Sequence, residues 1–235
     1  MANADLEQLA ENLWWASGSL PGMSLRRSMV LARRSDGDLV VHNPILLDDT
    51  RMRELEAIGE PRYLIVPNAD YRLDAPAFKQ RYPEMQVFAP RGARDVVARV
   101  VDVDGIYEDF PADRDVQLEM LHGVRDEEGA LVVSSNDGVT IALDDAVIAP
   151  NRKRDRLGLL LSTLRDAGRL GERVRITRLF KRLFVKDKRA LREDLERLAE
   201  LPELVRLVMA RSHRGEKVAK GAEAAKALKE AAALL

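Results

Sequence analysis

Three short stretches carry side chains able to move protons or hold a metal, and each follows an apolar run of strand-forming residues. The first run is Tyr63-Leu64-Ile65-Val66, which leads into Pro67-Asn68-Ala69-Asp70-Tyr71-Arg72-Leu73-Asp74. The second is Val139-Thr140-Ile141-Ala142-Leu143, followed by Asp144-Asp145. The third is Leu204–Met209, followed by Ser212-His213-Arg214-Gly215. Open sheets commonly place working groups in loops just past the carboxyl ends of buried strands. If these three strands are neighbours, Asn68, Asp70, Asp145 and His213 meet at one edge. Such an oxygen-rich set suits one divalent ion of the magnesium, manganese or calcium type better than zinc. Asn-x-Asp is equally an ordinary turn composition, because both side chains bond nearby backbone amides.

Other chemistries find less support. The chain has no cysteine, which removes disulfides, thiolate nucleophiles and cysteine-ligated zinc. No Gly-x-Ser-x-Gly elbow and no phosphate-cradling glycine loop occurs. Of the three histidines, His42 in Val41-His42-Asn43-Pro44 is expected to face solvent where a hairpin leaves its sheet. His122, before Gly123, is expected to end a strand. His213 reads as a turn residue with bonded ring nitrogens when taken by itself. Trp14-Trp15 put one indole on each face of a strand.

The elements that must position these groups are written in pattern and punctuation. Ser28–Ala32 and Leu39–Val41 flank Asp36-Gly37, a hairpin turn pair. Asp48 or Asp49 caps a helix through Ile58 that Gly59 ends, and the strand Tyr63–Val66 follows. Asp74 is placed to cap a short helix through Phe78, stopping before Pro83. Gln86–Ala89 reads as a strand and Ala93–Val101 as a helix. This alternation predicts an α/β (α+β) architecture. A β-rich stretch runs from Val116 to Ile148 with a turn at Asp137-Gly138, and helical pattern dominates from Leu157 onward. No internal repeat appears, and Pro150-Asn151 is the one seam, so residues 1–235 are expected to form a single domain.

Charge is unevenly spread. The net charge is −1, yet residues 1–150 hold 15 basic and 27 acidic side chains, whereas residues 151–195 hold 15 basic and 6 acidic. Ile176, Leu179, Phe180, Leu183 and Phe184 recur at helical spacing among Arg175, Arg178, Lys181, Arg182 and Lys186. The apolar stripe of these basic helices, within residues 175–195, is expected to pack on the body of the protein or on a second copy. With Phe180 and Phe184 as its only aromatics, the segment offers little for base stacking, and no nucleic-acid partner is expected. The N-terminus lacks a basic region followed by an apolar run, and no stretch is long and apolar enough to span a bilayer. The expected address is the cytoplasm.

The order of these parts resembles the metallo-β-lactamase fold: a hairpin, a helix, a strand with a polar loop, a strand ending in Asp, and a strand followed by His-x-Gly. The chain is similar, over roughly residues 12–232, to a family of uncharacterised members that lack the full metal-ligand set. The resemblance is carried by Leu143-Asp144-Asp145 and by Arg211-Ser212-His213-Arg214-Gly215, where Arg214 interrupts the family's His-Gly pair. It implies an αββα sandwich with a basic helical insertion, residues 155–200, before the last strand. In the superfamily the polar loop reads H-x-H-x-D-H. Aligned on Leu64-Ile65-Val66, this sequence places Asn68 and Asp70 at the first two histidines, Arg72 at the aspartate and Leu73 at the last histidine. The superfamily's middle histidine corresponds loosely to His122, and Asp145 and His213 are retained.

Chemistry then separates two readings. A catalytic zinc needs about three protein ligands, mostly imidazole, and an open position for water. Arg72 is always protonated and Leu73 has no donor atom, so neither can ligate. Arg72 is expected to pair with Asp145 and to stand in electrostatically for the metal. The remnant site is therefore Asn68, Asp70, Arg72, Asp145 and His213, with no cofactor expected. A non-hydrolytic protein follows, binding a small ligand in the old cleft or scaffolding through a homodimer contact of the helical insertion. The alternative is an atypical metal-dependent hydrolase that holds one divalent ion with Asn68, Asp70, Asp145 and His213 and works through Asp70, Asp145 and His213.

Overall fold

The computed structural model describes residues 5–19, 26–144, 176, 182, 184–209, 211–212 and 218–235. Its first half runs β1 (Glu7–Ala10), β2 (Leu13–Ser19), β3 (Arg26–Arg33), β4 (Asp38–His42), α1 (Asp49–Ile58), β5 (Glu60–Ile65), α2 (Ala75–Arg81), β6 (Gln86–Ala89), α3 (Arg94–Val97) and β7 (Gly105–Ile106). A 3-10 turn, Tyr107–Asp109, leads to β8 (Val116–Met120), β9 (Gly129–Ser135) and β10 (Gly138–Leu143). Then come α4 (Lys188–Ala199), β11 (Leu204–Met209), β12 (Arg211–Ser212), β13 (Val218–Lys220) and α5 (Ala222–Ala233).

Two sheets result. The first has the order β1-β2-β3-β4-β5-β6-β7, with β12 also pairing β3; the second has the order β13-β11-β10-β9-β8. In the first sheet, β1 to β4 are antiparallel, as short hairpin connections require, and β4 to β7 run parallel through α1, α2 and α3. In the second, β10 pairs β11 in parallel and β9 antiparallel.

The strands carry apolar residues on both faces, which makes three layers of core. Leu39 and Val41 pack outward against Met52, Leu55, Phe78 and Val97 of the helices, whereas Val40 points inward. On the other sheet Val132, Ile141 and Leu143 pack outward against Leu191, Leu195 and Leu198 of α4 and Leu228 of α5. Leu131, Val133 and Ala142 point inward and meet Val30, Val40, Ile65 and Phe88 between the sheets. Helices thus cover the outside of both sheets, the αββα sandwich expected from the sequence. Trp14 packs on the outer layer and Trp15 on the inner one, one indole per face.

Local signals hold with adjustments. Asp48 caps α1, its side chain accepting from the Arg51 amide at 3.0 Å. Asp74 sits at the start of α2 but makes no side-chain cap, because its carboxylate is drawn across the fold instead. The helix expected over Ala93–Val101 is confined to Arg94–Val97, and the strand before the polar loop begins at Glu60. Most of the helical insertion lies outside the described residues. Within it, Ile176 joins the apolar cluster on the outer face of the second sheet and Phe184 packs against that cluster, while Leu179, Phe180 and Leu183 lie outside the described residues.

Candidate functional site

Alternation along two strands decides which polar groups enter the space between the sheets. Val40 faces inward, and two residues on His42 does the same, paired across the ladder with Val30 and Ile65. Ala142 faces inward on β10, and two residues on, just past its end, Asp144 is fully buried. His42 Nε2 lies 3.5 Å from Asp144 Oδ2, with the side chains 2% and 0% exposed. Burial pushes the His42 imidazole down to about 3. The expectation of a solvent-facing His42 is thus overturned by strand parity, since β4 stays in the sheet to its last residue.

Further polar side chains complete an internal cluster. Tyr107 follows β7 and is buried; burial, with the charges of Asp144 and Glu128 beside it, holds its phenol well above its usual range. A Cβ on Gly129 would fall 2.3 Å from the Tyr107 ring and 2.7 Å from the Glu119 carbonyl, so only glycine lets the ring lie against the start of β9. Glu128, also buried, accepts from Asn68 Nδ2 at 2.9 Å. Asn68 Oδ1 in turn accepts from the Asp70 amide at 2.9 Å, the Asx turn its composition suggested. Buried polar side chains thus lie both at the end of β4, where His42 meets Asp144, and behind the loop after β5, where Asn68 meets Glu128.

The loops around this string are tied down by Arg27. Its Nη1 donates to the Pro44 carbonyl at 3.1 Å, and its Nη2 pairs with the Asp74 carboxylate. Asp74 Oδ2 also accepts from the Leu46 amide at 2.9 Å. One buried guanidinium thus joins the start of β3, the segment after β4 and the start of α2. Asn43, at a positive φ of 56°, donates through Nδ2 to the Ser28 carbonyl, and Ser28 Oγ donates to the Met209 carbonyl at 3.1 Å. The Ser28 hydroxyl thus links β3 of the first sheet to the end of β11 in the second.

The residues predicted from sequence fall out as follows. Asn68 is buried and bonded to Glu128, while Asp70 is exposed. Arg72 is half-buried, and its Nη1 donates to the Val96 carbonyl of α3 at 2.7 Å. Asp145 and His213 lie outside the described residues, and so does the Arg72–Asp145 pairing. His122 follows β8 with its side chain 70% exposed; its Nδ1 is 3.0 Å from Asp194 Oδ2 of α4, which also accepts the His122 amide at 2.6 Å. His42, Tyr107, Glu128 and Asp144 were not singled out as site residues. The first and last were open to a period-2 reading; the other two sit in irregular segments with no such signal.

No protein-family model and no curated protein matches the chain. Solved structures do. A metallo-β-lactamase from Erythrobacter litoralis is 14% identical with a TM-score of 0.63, covering 100% of this chain and 98% of that one. A metallo-β-lactamase from Pontibacter korlensis is 9% identical with a TM-score of 0.62, covering 99% and 100%. The enzyme FIM-1 from Pseudomonas aeruginosa, in a mono-zinc form, is 8% identical with a TM-score of 0.61, covering 98% and 95%.

That fold raises the question of zinc, and the described donor set does not fit it. The loop after β5 offers an amide already bonded to Glu128, an exposed carboxylate, a guanidinium bonded to a carbonyl, and a leucine. No three His, Asp or Glu side chains converge among the described residues. A catalytic zinc wants imidazole-rich ligation at such a place. Layering, strand order and full-length likeness nevertheless agree on the architecture: this chain has the metallo-β-lactamase fold.

Proposed function

We propose that this protein is a degenerate member of its fold, metal-independent and non-hydrolytic, that binds a small ligand at the old cleft or acts as a scaffold. One observation carries the reading: the loop after β5 spends Asn68 on Glu128 and Arg72 on Val96, so its polar side chains brace the fold. Arg72 stands where the loop motif of the fold carries aspartate, and a guanidinium there opposes a divalent cation by charge and cannot ligate one. In this reading the remnant site is Asn68, Asp70, Arg72, Asp145 and His213, and the basic insertion, residues 155–200, supplies a self-contact. The chain works as one domain in the cytoplasm. No helix among the described residues is long and apolar enough to cross a membrane.

Metal content decides the matter. Protein purified without chelator should carry far less than one zinc, magnesium, manganese or calcium ion per chain by elemental analysis. Its melting temperature should be the same with and without EDTA, because a structural or catalytic ion contributes directly to folding free energy. A stoichiometric ion, with a large loss of stability on chelation, would replace this reading with the hydrolase that uses Asp70, Asp145 and His213.

A further inference from the structure

We infer that His42, Tyr107 and Asp144 build an internal hydration site, one water-sized donor and acceptor held between the strand ends of the two sheets. The inference concerns the interior behind the loop and stands apart from the question of metal content at the cleft. His42 Nε2 and the Tyr107 hydroxyl are sealed from solvent, the residues 2% and 3% exposed, and neither atom has a hydrogen-bond partner among the described residues. Native interiors leave few such atoms unsatisfied, since a desolvated polar group without a partner is costly. The 3.5 Å between His42 Nε2 and Asp144 Oδ2 is longer than a direct N–H···O bond.

The charge states of the walls point to water and not to an ion. Tyr107 keeps its proton, held high by burial and by Asp144 and Glu128, so it presents an O–H donor. His42 is neutral, held low by burial, so Nε2 is either one acceptor or one N–H. A water accepts from the phenol, donates to the Asp144 carboxylate, and meets Nε2 in whichever tautomer the imidazole adopts. Buried waters typically make about three such bonds. A divalent ion would demand anionic ligands in place of the protonated phenol, and no triad of ligating side chains converges here among the described residues.

A crystal structure of the full chain, at a resolution that shows ordered solvent, tests the site directly. The expected result is one solvent peak within hydrogen-bond distance of His42 Nε2 and Tyr107 Oη, with no anomalous signal. Thermal melting of Tyr107→Phe supplies an independent sign. A bonded hydroxyl makes the variant melt lower, by about 2–6 °C, whereas an unbonded hydroxyl makes it melt at the same temperature or higher. Absence of the solvent peak, an anomalous scatterer in its place, or a Tyr107→Phe protein that melts no lower than the parent overturns the inference.

Discussion

The imidazole of His42 stands 3.5 Å from the carboxylate of Asp144, and this meeting of two strand ends is sealed inside the sandwich. It joins the first sheet to the second at the carboxyl ends of β4 and β10, the edge where open sheets gather their working groups. A histidine buried at such a place makes stability depend on pH.

Burial lowers the His42 imidazole from 6.5 to about 3. Between those values the unfolded chain carries a proton that the folded chain refuses, so acid favours unfolding. The contribution of the neutral imidazole is complete above about pH 6.5 and is lost as pH falls toward 3, with a slope approaching about 1.4 kcal/mol per pH unit. His42→Gln should therefore flatten the acid side of the stability profile measured by urea unfolding. An equally steep acid limb in the variant would show that His42 titrates normally in the native state.

Asn68 donates to the buried carboxylate of Glu128. Asn68→Ala should cost about 1.5–3 kcal/mol, the usual range for a bond to a charged partner. Asn68→Asp should cost more at pH 7 than at pH 5, since it sets two carboxylates against each other where an amide met one. Denaturant titrations at the two pH values measure this. A variant as stable as the parent at pH 7 would mean that the Asn68–Glu128 bond is not what holds the loop.

Arg27 and Asp74 form the clamp beneath the same loops, with side chains 4% and 21% exposed. Asp74→Ala leaves a buried guanidinium short of its carboxylate and deprives the Leu46 amide of an acceptor. The expected loss is about 3–5 kcal/mol. Replacing both partners, Arg27→Met with Asp74→Ala, should cost clearly less than the two single losses added together. A double-mutant cycle with no coupling energy would contradict the clamp.

Much of the architecture was legible in the chain. Asp36-Gly37 and Asp137-Gly138 mark hairpins because positive φ is needed there, and Gly37 and Gly138 have φ of 95° and 125°. The Asp48 cap and the buried strand before Asn68 are local facts, and the structure reproduces both. Helix length at Ala93 was less legible, because a weakly periodic segment stops where packing stops it. The polar loop was correctly seen as a turn at Asn68, yet nothing nearby announces that the amide meets Glu128, sixty residues away. His42 departs furthest from its sequence reading: Asn43-Pro44 suggest an exit from the sheet, whereas β4 pairs to its last residue and His42 shares the inward face of Val40, which three consecutive apolar residues cannot distinguish from the outward one.

What the amino-acid sequence determined by itself is what depends on near neighbours: strand and helix identity, turns, caps, and which residues of a strand share a face. It also shows that the loop after β5, Pro67 to Asp74, carries no histidine. Only the tertiary structure decided which polar groups meet. Pairings such as His42 with Asp144, Asn68 with Glu128 and Arg27 with Asp74 are set by how two sheets stack and how loops close over them. No local pattern encodes those distances, because they arise from burial shared among segments far apart along the chain.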